Sequence, residues 1–393
     1  MTIAIEITFW VSLAILFYSY LGYGVVLYLL VKFKRTKTDK AITRSDDEFT
    51  PLVTVLIAAY NEKDYIEKKI ENTLALDYPK DKINYLIVTD GSDDGTEEIV
   101  KAFPQIQLLH QAERKGKIAA VHRAMAFVKT PFIIFTDANT MLNPEAVKSI
   151  IRHYKDDSVG AVAGEKRILN KAKDAASGAG EGFYWKYESA LKKWDSELYS
   201  VVGAAGELFS IRSSVYEAVP KDTIIEDFYM TLRIAQKGYR VIYEPEAYAV
   251  ETASASVKEE LKRKIRIANG GIQAIIRLKE LLNPFKYGIL SFQYISHRVL
   301  RWTIAPAALP VLFLLNIYLA FYSSSFYIVT LILQISFYLS VLLGQVLESR
   351  KIKIKVFFIP FYFFIMNYAV YIGFIRYLKG TQSVLWEKAK REL

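Results

Sequence analysis

The sequence contains no cysteine and only four histidines among its 393 residues. The absence of cysteine excludes disulfide bridges, thiolate metal sites and a cysteine nucleophile. The histidines are scattered along the chain and lack the spacing of zinc ligands. The sequence also lacks a P-loop consensus, a zinc finger and an RNA-binding motif. We therefore expect no nucleic-acid partner, although the formal net charge is +10.

Apolar residues make up 52% of the chain, slightly above the roughly 45–50% of soluble domains. The excess lies in long runs. Ile7–Val31 is uncharged and long enough to cross a bilayer. It follows Glu6 and exceeds the length of a signal-peptide core, so we expect a retained helix. Three further runs have membrane length, namely Thr303–Tyr322, Phe326–Leu347 and Val356–Ile375.

Basic residues indicate the orientation of these runs. Several lysines and Arg35 follow Ile7–Val31 directly, which places that end in the cytoplasm by the positive-inside rule. Residues 348–355 are also basic and should be cytoplasmic. The last run should then exit outward, yet the tail carries lysines that favour the cytoplasm. Either the last run is re-entrant, with a bend at Pro360, or the tail is external.

We predict six segments. They are a transmembrane helix (1–31), a charged linker (32–50), an α/β domain (51–253), amphipathic interface helices (254–301), three transmembrane helices (302–378) and a basic tail (379–393).

Strand and helix patterns alternate after Pro51. The predicted strands are Leu52–Ala58, Tyr85–Thr89, Ile106–His110 and Phe132–Thr136, with helical patterns between them. This alternation predicts a mostly parallel, Rossmann-like sheet with helices on both faces. In such sheets ligands bind at the carboxyl ends of the strands.

Five polar clusters lie at these strand ends or in later loops. They are Ala58–Glu62, Asp90–Thr96, Arg114–Lys117, Phe135–Asn139 and Ile225–Phe228. Each also has a purely structural interpretation. Asn61 is a candidate helix cap, and the cluster ending at Asn139 either caps a helix or supplies oxygen ligands to Mg²⁺ or Mn²⁺. Glu226 and Asp227 either favour a helix dipole or include a general base.

In this order the clusters resemble the membrane-integrated branch of the family 2 inverting glycosyltransferases, which contains cellulose, hyaluronan and poly-N-acetylglucosamine synthases. The resemblance runs from about Val53 to Gly271. It implies a GT-A fold for residues 51–253, dependence on Mg²⁺ or Mn²⁺, and transfer from a UDP-sugar to a growing polysaccharide with a β linkage.

The resemblance also implies roles for individual residues. It assigns the nucleotide-sugar site to Ala59, Tyr60, Glu62, Asp90, Lys117 and Asp137. Asp137 would also contact the metal. Asn139 stands where the family usually has a second Asp, so metal ligation there would be weaker or indirect.

Further roles concern the acceptor and the catalytic step. Gly206 and Glu207 would border the acceptor, and Asp227 of the Glu226–Asp227 pair would be the catalytic base. Arg263 and Arg266 would stabilise the departing diphosphate, as arginine clamps do.

Two regions bear on processive synthesis. Processive members carry Gln-x-x-Arg-Trp after the base, whereas the equivalent position here is Arg263–Ile267. Arg298–Trp302 has a similar composition, but it follows Asp227 by roughly 70 residues, which we take as too distant. Trp386–Arg391 resembles a tail motif that closes over the donor and would place the tail in the cytoplasm.

We therefore expect an integral protein of the inner or plasma membrane, with a cytoplasmic catalytic domain. Its partners would be a UDP-sugar, a polysaccharide or lipid-linked glycan acceptor, membrane lipid and accessory secretion subunits. The alternatives are a non-processive transferase acting on a lipid-linked acceptor, a nucleotide-regulated transporter, and a membrane anchor with an inactive domain. Few charges lie within the apolar runs, which disfavours the transporter.

Overall fold

The computed structural model describes residues 2–37, 49–169, 177–252, 256–350, 352 and 354–383. Within them, eight strands form one sheet: β1 Val53–Ala59, β2 Ile83–Thr89, β3 Ile106–Leu109, β4 Phe132–Asp137, β5 Met141–Leu142, β6 Val159–Leu169, β7 Leu208–Arg212 and β8 Arg240–Thr252. The helices of the α/β domain are α3 Lys63–Leu74, α4 Thr96–Lys101, α5 Lys117–Met125, α6 Ala146–Ile151, α7 Ser177–Leu198 and α8 Glu226–Gln236.

The remaining helices flank this domain. Before it lie α1 Thr2–Phe17 and α2 Tyr23–Lys37, joined by a π-helical turn over Tyr18–Gly22. After it lie α9 Val257–Arg277, α10 Pro284–Tyr287, α11 Ile289–Tyr294, α12 Leu300–Trp302, α13 Ile304–Tyr322, α14 Ser325–Ser349 and α15 Lys355–Lys379.

The sheet has the strand order β3-β2-β1-β4-β7-β6-β8-β5. Strands β1 to β4 are parallel, which confirms the sequence prediction for this half. Every residue of β1 is buried between its neighbours, as expected for a strand covered on both faces. Strand β7 runs antiparallel to β4 and β6, so the complete sheet is mixed.

Four helices are long and apolar enough to cross a membrane, at Thr2–Thr36, Ile304–Tyr322, Ser325–Ser349 and Lys355–Lys379. They coincide with the four runs predicted from the sequence. Helices α1 and α13 pack together through Phe9, Leu16, Ala305 and Leu319. The exposed apolar side chains on these helices are those that lipid would cover.

Helix α15 contacts the other three apolar helices at one end of their bundle. Its N-terminal part packs Phe357 against Gly344 of α14. Further along, Asn367 accepts a hydrogen bond of 2.5 Å from Tyr20, and Tyr371 donates one to the carbonyl of Pro306, at the start of α13. Gly344, near the end of α14, and Pro306, at the start of α13, lie at the same end of the bundle. Helix α15 therefore contacts this same end at residue 357 and again at residue 371, so it does not cross the bundle between them.

The α/β domain is attached to the basic end of the first apolar segment. Helix α2 packs on α7, where Lys34 donates hydrogen bonds of 2.9 and 2.8 Å to the carbonyls of Glu197 and Leu198. Arg35 forms an ion pair with the Glu197 carboxylate at 2.6 Å. Deeper in this junction, Tyr23 donates a hydrogen bond to Asp195, and both side chains are fully buried.

Candidate active site

Strand register brings the first polar clusters to one edge of the sheet. Ala58 of β1 pairs with Asp137 at the end of β4, and Ala59 pairs with Thr89 at the end of β2. Asp90 follows Thr89 directly. Because parallel strands end at the same edge, Asp90 and Asp137 lie on either side of the end of β1.

The Asp90 carboxylate holds the loop before α5 in place. Its oxygens accept hydrogen bonds from the backbone N–H groups of Lys115 at 3.0 and 3.2 Å and of Gly116 at 2.6 Å. Gly116 has φ 93°, a conformation that favours glycine. Asp90 thereby sets the position of Lys117, the first residue of α5.

Lys117 connects two of the predicted carboxylate clusters. Its ammonium lies 2.9 Å from Asp137 Oδ1 and 2.8 Å from Glu226 Oε1. Burial opposes the ammonium charge, but the two carboxylates outweigh it and raise the pKa of Lys117 above its ordinary value. The lysine is therefore charged at neutral pH and sits between the end of β4 and the start of α8.

The two acids at the start of α8 have opposite pKa shifts. Burial, reinforced by the neighbouring Glu226 carboxylate, raises the pKa of Asp227 to about 7. Burial acts on Glu226 in the same sense, but the Lys117 ammonium holds the pKa of Glu226 below its ordinary value. Two adjacent acids with separated pKa values are typical of a site where one accepts a proton near neutral pH.

Two cavities meet at Lys117. The larger, of about 490 Å³, is lined by Asp137, Glu226 and Asp227, and by Gly206 from the loop before β7. The smaller is lined by Ala59, Tyr60, Asp90 and Gly116. Lys117 lines both. The structure thus places Asp90, Asp137 and Asp227 in two adjoining cavities on either side of Lys117.

The smaller cavity is narrow, with a volume of about 10 Å³. The Arg114 guanidinium lies 3.7 Å from the centre of the Tyr60 ring, and both residues line this cavity. A nucleobase beside Tyr60 would take the place of this guanidinium. Glu62, predicted to line this pocket, is 1% exposed and is not among the residues lining it.

Asn61 does not cap α3 as the sequence suggested. Its backbone has φ 53°, and its side chain forms paired hydrogen bonds with Asp93, at 2.8 Å to the carboxylate and 3.0 Å from the backbone N–H. It therefore joins the loop after β1 to the loop after β2. The two loops that border the smaller cavity are fixed to each other.

The loop after β4 fits a divalent cation in part. The side-chain oxygen of Asn139 is buried and has no hydrogen-bond partner in the described chain, which fits an atom that ligates a cation. No cluster of three or more Asp, Glu, His or Cys suited to a metal occurs among the described residues. A cation here would be held by Asp137 and Asn139, with its other ligands from a diphosphate.

Lys69 supports this loop from behind. It is 0% exposed and donates hydrogen bonds of 2.9 Å to Thr136 Oγ1 and 2.7 Å to the carbonyl of Thr140. Burial lowers the pKa of Lys69 to about 7, although the nearby Asp137 carboxylate opposes this. Sequence analysis missed this residue, because a lysine in a helical pattern normally faces solvent.

The two predicted arginines differ in their pairing. Arg263 lies near three carboxylates, with 3.6 Å to Glu207, 3.8 Å to Glu251 and 3.2 Å to Glu260. Its charge is already compensated within the protein, and its role at a leaving group stays a prediction. Arg266 also lines the larger cavity and makes no ion pair within the described residues. Of the two predicted arginines, Arg266 has the less compensated charge, and its role at a diphosphate stays a prediction.

Glu207, predicted to border the acceptor, is similarly engaged. Its carboxylate is 2.5 Å from the ammonium of the buried Lys166. It lines the larger cavity, but its charge is used within the protein. Gly206 beside it is different, since a Cβ there would lie 3.4 Å from Asp227 Oδ2 and 3.6 Å from Lys117 Nζ. Gly206 therefore leaves room directly beside both groups.

Trp302 belongs to the site in spite of its distance along the chain. Its ring lies 5.2 Å from the ring of Phe228, the residue after Asp227, and it packs against Gly271 of α9. Trp302 also lines the larger cavity. The view that Arg298–Trp302 is too distant was therefore wrong. Its resemblance to Gln-x-x-Arg-Trp was the available signal. The tail motif Trp386–Arg391 lies outside the described residues.

Comparison with known proteins gives consistent results. Residues 54–219 match the model for glycosyl transferase family 2. A poly-beta-1,6-N-acetyl-D-glucosamine synthase of Staphylococcus aureus (strain MSSA476) is 30% identical over 235 residues, which cover 57% of this chain and 56% of the relative. That of Staphylococcus epidermidis is 25% identical over 264 residues, with coverage of 65% and 62%. The chain thus spans less than two thirds of the length of these relatives.

A solved structure matches almost the whole chain. It is a mannosyltransferase from Pyrobaculum calidifontis in complex with GDP-Man and Mn²⁺, with a TM-score of 0.71 at 21% identity. The match covers 95% of this chain and 100% of that chain. At this identity the likeness establishes the fold, which is GT-A with flanking apolar helices. Residues 54–219 are thus similar to the domains of glycosyl transferase family 2.

Proposed function

We propose that this chain transfers a sugar from a nucleotide-sugar donor to a growing polysaccharide, with inversion to a β linkage. The observation that carries the proposal is the position of Asp227. A carboxylate with a pKa of about 7 lines the same cavity as Lys117 and Asp137, beside a pocket bounded by Tyr60 and Asp90. A base, a cation and a nucleotide pocket are thus adjacent.

In the proposed step, Asp227 accepts the proton of an acceptor hydroxyl. The acceptor oxygen forms a bond to the anomeric carbon, and the bond from that carbon to the phosphate oxygen breaks. The nucleoside diphosphate leaves with the electron pair. Lys117 and Arg266 stabilise its growing negative charge. A divalent cation held by Asp137 and Asn139 would supply further charge compensation at the diphosphate.

The curated relatives and the solved relative suggest different donors. The curated relatives are named as N-acetylglucosamine polymer synthases, which favours the UDP-sugar expected from the sequence. The solved relative is described with GDP-Man. We propose UDP-N-acetylglucosamine as the donor and GDP-mannose as the alternative. Both require a base to enter beside Tyr60, where Arg114 now stacks.

We also propose that the catalytic domain is cytoplasmic. The domain contacts Lys34 and Arg35 at the basic end of the first apolar segment, and that end is cytoplasmic by the positive-inside rule. Helix α15 then lies along the cytoplasmic interface rather than across the bilayer. This arrangement puts the C-terminal end of α15 on the same side as the domain and argues against an external tail.

A donor screen tests this function. Purified full-length protein is incubated with UDP-glucose, UDP-N-acetylglucosamine, GDP-mannose or GDP-glucose, each with Mg²⁺, Mn²⁺ or EDTA, and nucleoside diphosphate release is measured. We expect release from UDP-N-acetylglucosamine with a divalent cation, and loss of release in EDTA. Release from GDP-mannose alone would replace the donor assignment. No release from any donor would contradict the proposed activity.

A further inference from the structure

The larger cavity has an apolar side opposite the catalytic base. Beyond Asp227 and Lys117, it is lined by side chains from the turn after α1 and from α15. The apolar members of this side are Leu21, Ile359, Phe363, Met366 and Val370. These residues belong to helices that are apolar enough for a membrane. The cavity is therefore continuous from the base to the membrane-facing helices.

This apolar side lies at the end of the helical bundle that faces the catalytic domain. Tyr20 and Phe363 pack with their ring centres 4.9 Å apart, and Tyr20 also bonds to Asn367. Leu21 is 59% exposed and Ile359 is 50% exposed, although both line the cavity. Side chains that are both cavity-lining and exposed mark an opening between the turn after α1 and helix α15, at the level of the lipid head groups in the proposed orientation.

The chemistry of this opening selects among acceptors. A free glycan lying against Leu21, Ile359 and Phe363 would lose hydrogen bonds to water that these three side chains cannot replace. An alkyl chain on the same path is stabilised by burial. The volume of about 490 Å³ is within the range of about 300–1,000 Å³ for sites that take one small ligand. It has room for a terminal sugar and part of a chain.

We propose that the acceptor is a glycan carried on a membrane lipid, which enters sideways between the turn after α1 and helix α15. This inference rests on the proposed function and names its acceptor class. The acceptor's terminal hydroxyl lies at Asp227, and the nearest part of its lipid lies against Leu21, Ile359 and Phe363. The hydroxyl oxygen bonds to the anomeric carbon of the donor, its proton goes to Asp227, and the nucleoside diphosphate leaves.

Alkyl glycosides of one sugar test this proposal. Wild-type protein in nanodiscs is assayed with the identified donor and with methyl, butyl and octyl glycosides as acceptors. Donor hydrolysis without acceptor is measured in parallel. Each buried methylene contributes roughly fourfold to binding, so we expect kcat/KM to rise at least about tenfold from butyl to octyl glycoside. Equal kcat/KM values, with donor hydrolysis intact, would overturn the proposal and leave the transferase assignment standing.

Partition of octyl glycoside into lipid would also raise its rate, so a matched pair of variants is required. Ile359→Gln changes an exposed cavity-lining residue, and Val356→Gln changes an exposed residue of the same helix that does not line the cavity. We expect the octyl-to-butyl ratio to fall to near one in Ile359→Gln only. Within each variant the ratio cancels any general loss of activity.

A second matched pair of variants, in the first apolar segment, tests the proposal independently. Leu21 lines the cavity and Phe17 does not, while both are 59% exposed. The octyl-to-butyl ratio of kcat/KM should fall in Leu21→Gln and stay at the wild-type value in Phe17→Gln. If this ratio stays at the wild-type value in both cavity-lining variants, the preference for the longer alkyl chain comes only from partition of the glycoside into lipid, and the proposal is wrong. Absence of donor hydrolysis in wild type would instead contradict the proposed function.

Discussion

Glu226→Gln should shift the acid limb of the pH–rate profile to lower pH. Asp227 accepts a proton only when it is ionised, so activity rises with pH through its pKa. Burial and the Glu226 charge together raise this pKa from 3.8 to about 7. Burial is the larger cause and stays in the variant. Removal of one adjacent like charge should therefore recover only about one pH unit, or roughly 1.4 kcal/mol.

The magnitude can be read at a single pH. At pH 6 a base with a pKa of 7 is about 10% ionised, and one with a pKa of 6 is about 50% ionised, so the rate relative to the plateau should rise about fivefold. The assay is kcat/KM for nucleoside diphosphate release from pH 5 to 9, which reports the free enzyme. Glu217→Gln, at an exposed acid paired with Lys237 at 2.7 Å, is the control and should leave the limb in place. An unchanged limb in Glu226→Gln, or a shift to higher pH, would refute this reasoning.

Three further changes test other parts of the site. Gly206→Ala puts a methyl group 3.4 Å from Asp227 Oδ2, so transfer to a sugar should fall about tenfold relative to donor hydrolysis; equal loss of both would argue against an acceptor position there. Gly271→Ala forces Trp302 to move, because the new Cβ would lie 2.4 Å from its ring, and should cost about 1–3 kcal/mol of stability. Adding Trp302→Phe should recover part of this loss in a double-mutant cycle. Lys69→Met removes a buried lysine whose pKa falls from 10.5 to about 7. Because the unfolded state binds more protons in that window, wild type should gain about 1.4 kcal/mol per pH unit relative to the variant above pH 7, and a constant difference in unfolding free energy would contradict this.

The parallel half of the fold could be predicted because its signals are local. Val53–Ala59 is continuously apolar and the polar residues follow it directly, so the strand and its functional end are read from the same stretch. The antiparallel strand Leu208–Arg212 was not predicted. Its place between β4 and β6 depends on pairing with distant strands, which no local pattern specifies.

The same distinction explains the residues of the site. Asp137 and Asp227 stand at element boundaries and could be singled out from the sequence. The contact between Trp302 and Phe228 depends on Gly271, whose missing side chain lets the ring approach. Similarly, the family resemblance assigned Arg263 to the departing diphosphate, but Glu207, Glu251 and Glu260 surround it. Tertiary packing decides both cases.

Substitution of Asp227 by Asn tests the central claim most directly, because it removes the base and preserves its shape. Turnover of the identified donor into acceptor and the dissociation constant of the nucleoside diphosphate should be measured on the same preparation. We expect turnover to fall at least about a hundredfold, since general base catalysis contributes about 10²–10⁴-fold, while the dissociation constant stays within about threefold. Turnover within tenfold of wild type, with normal nucleotide binding, would contradict the assignment of Asp227 as the catalytic base.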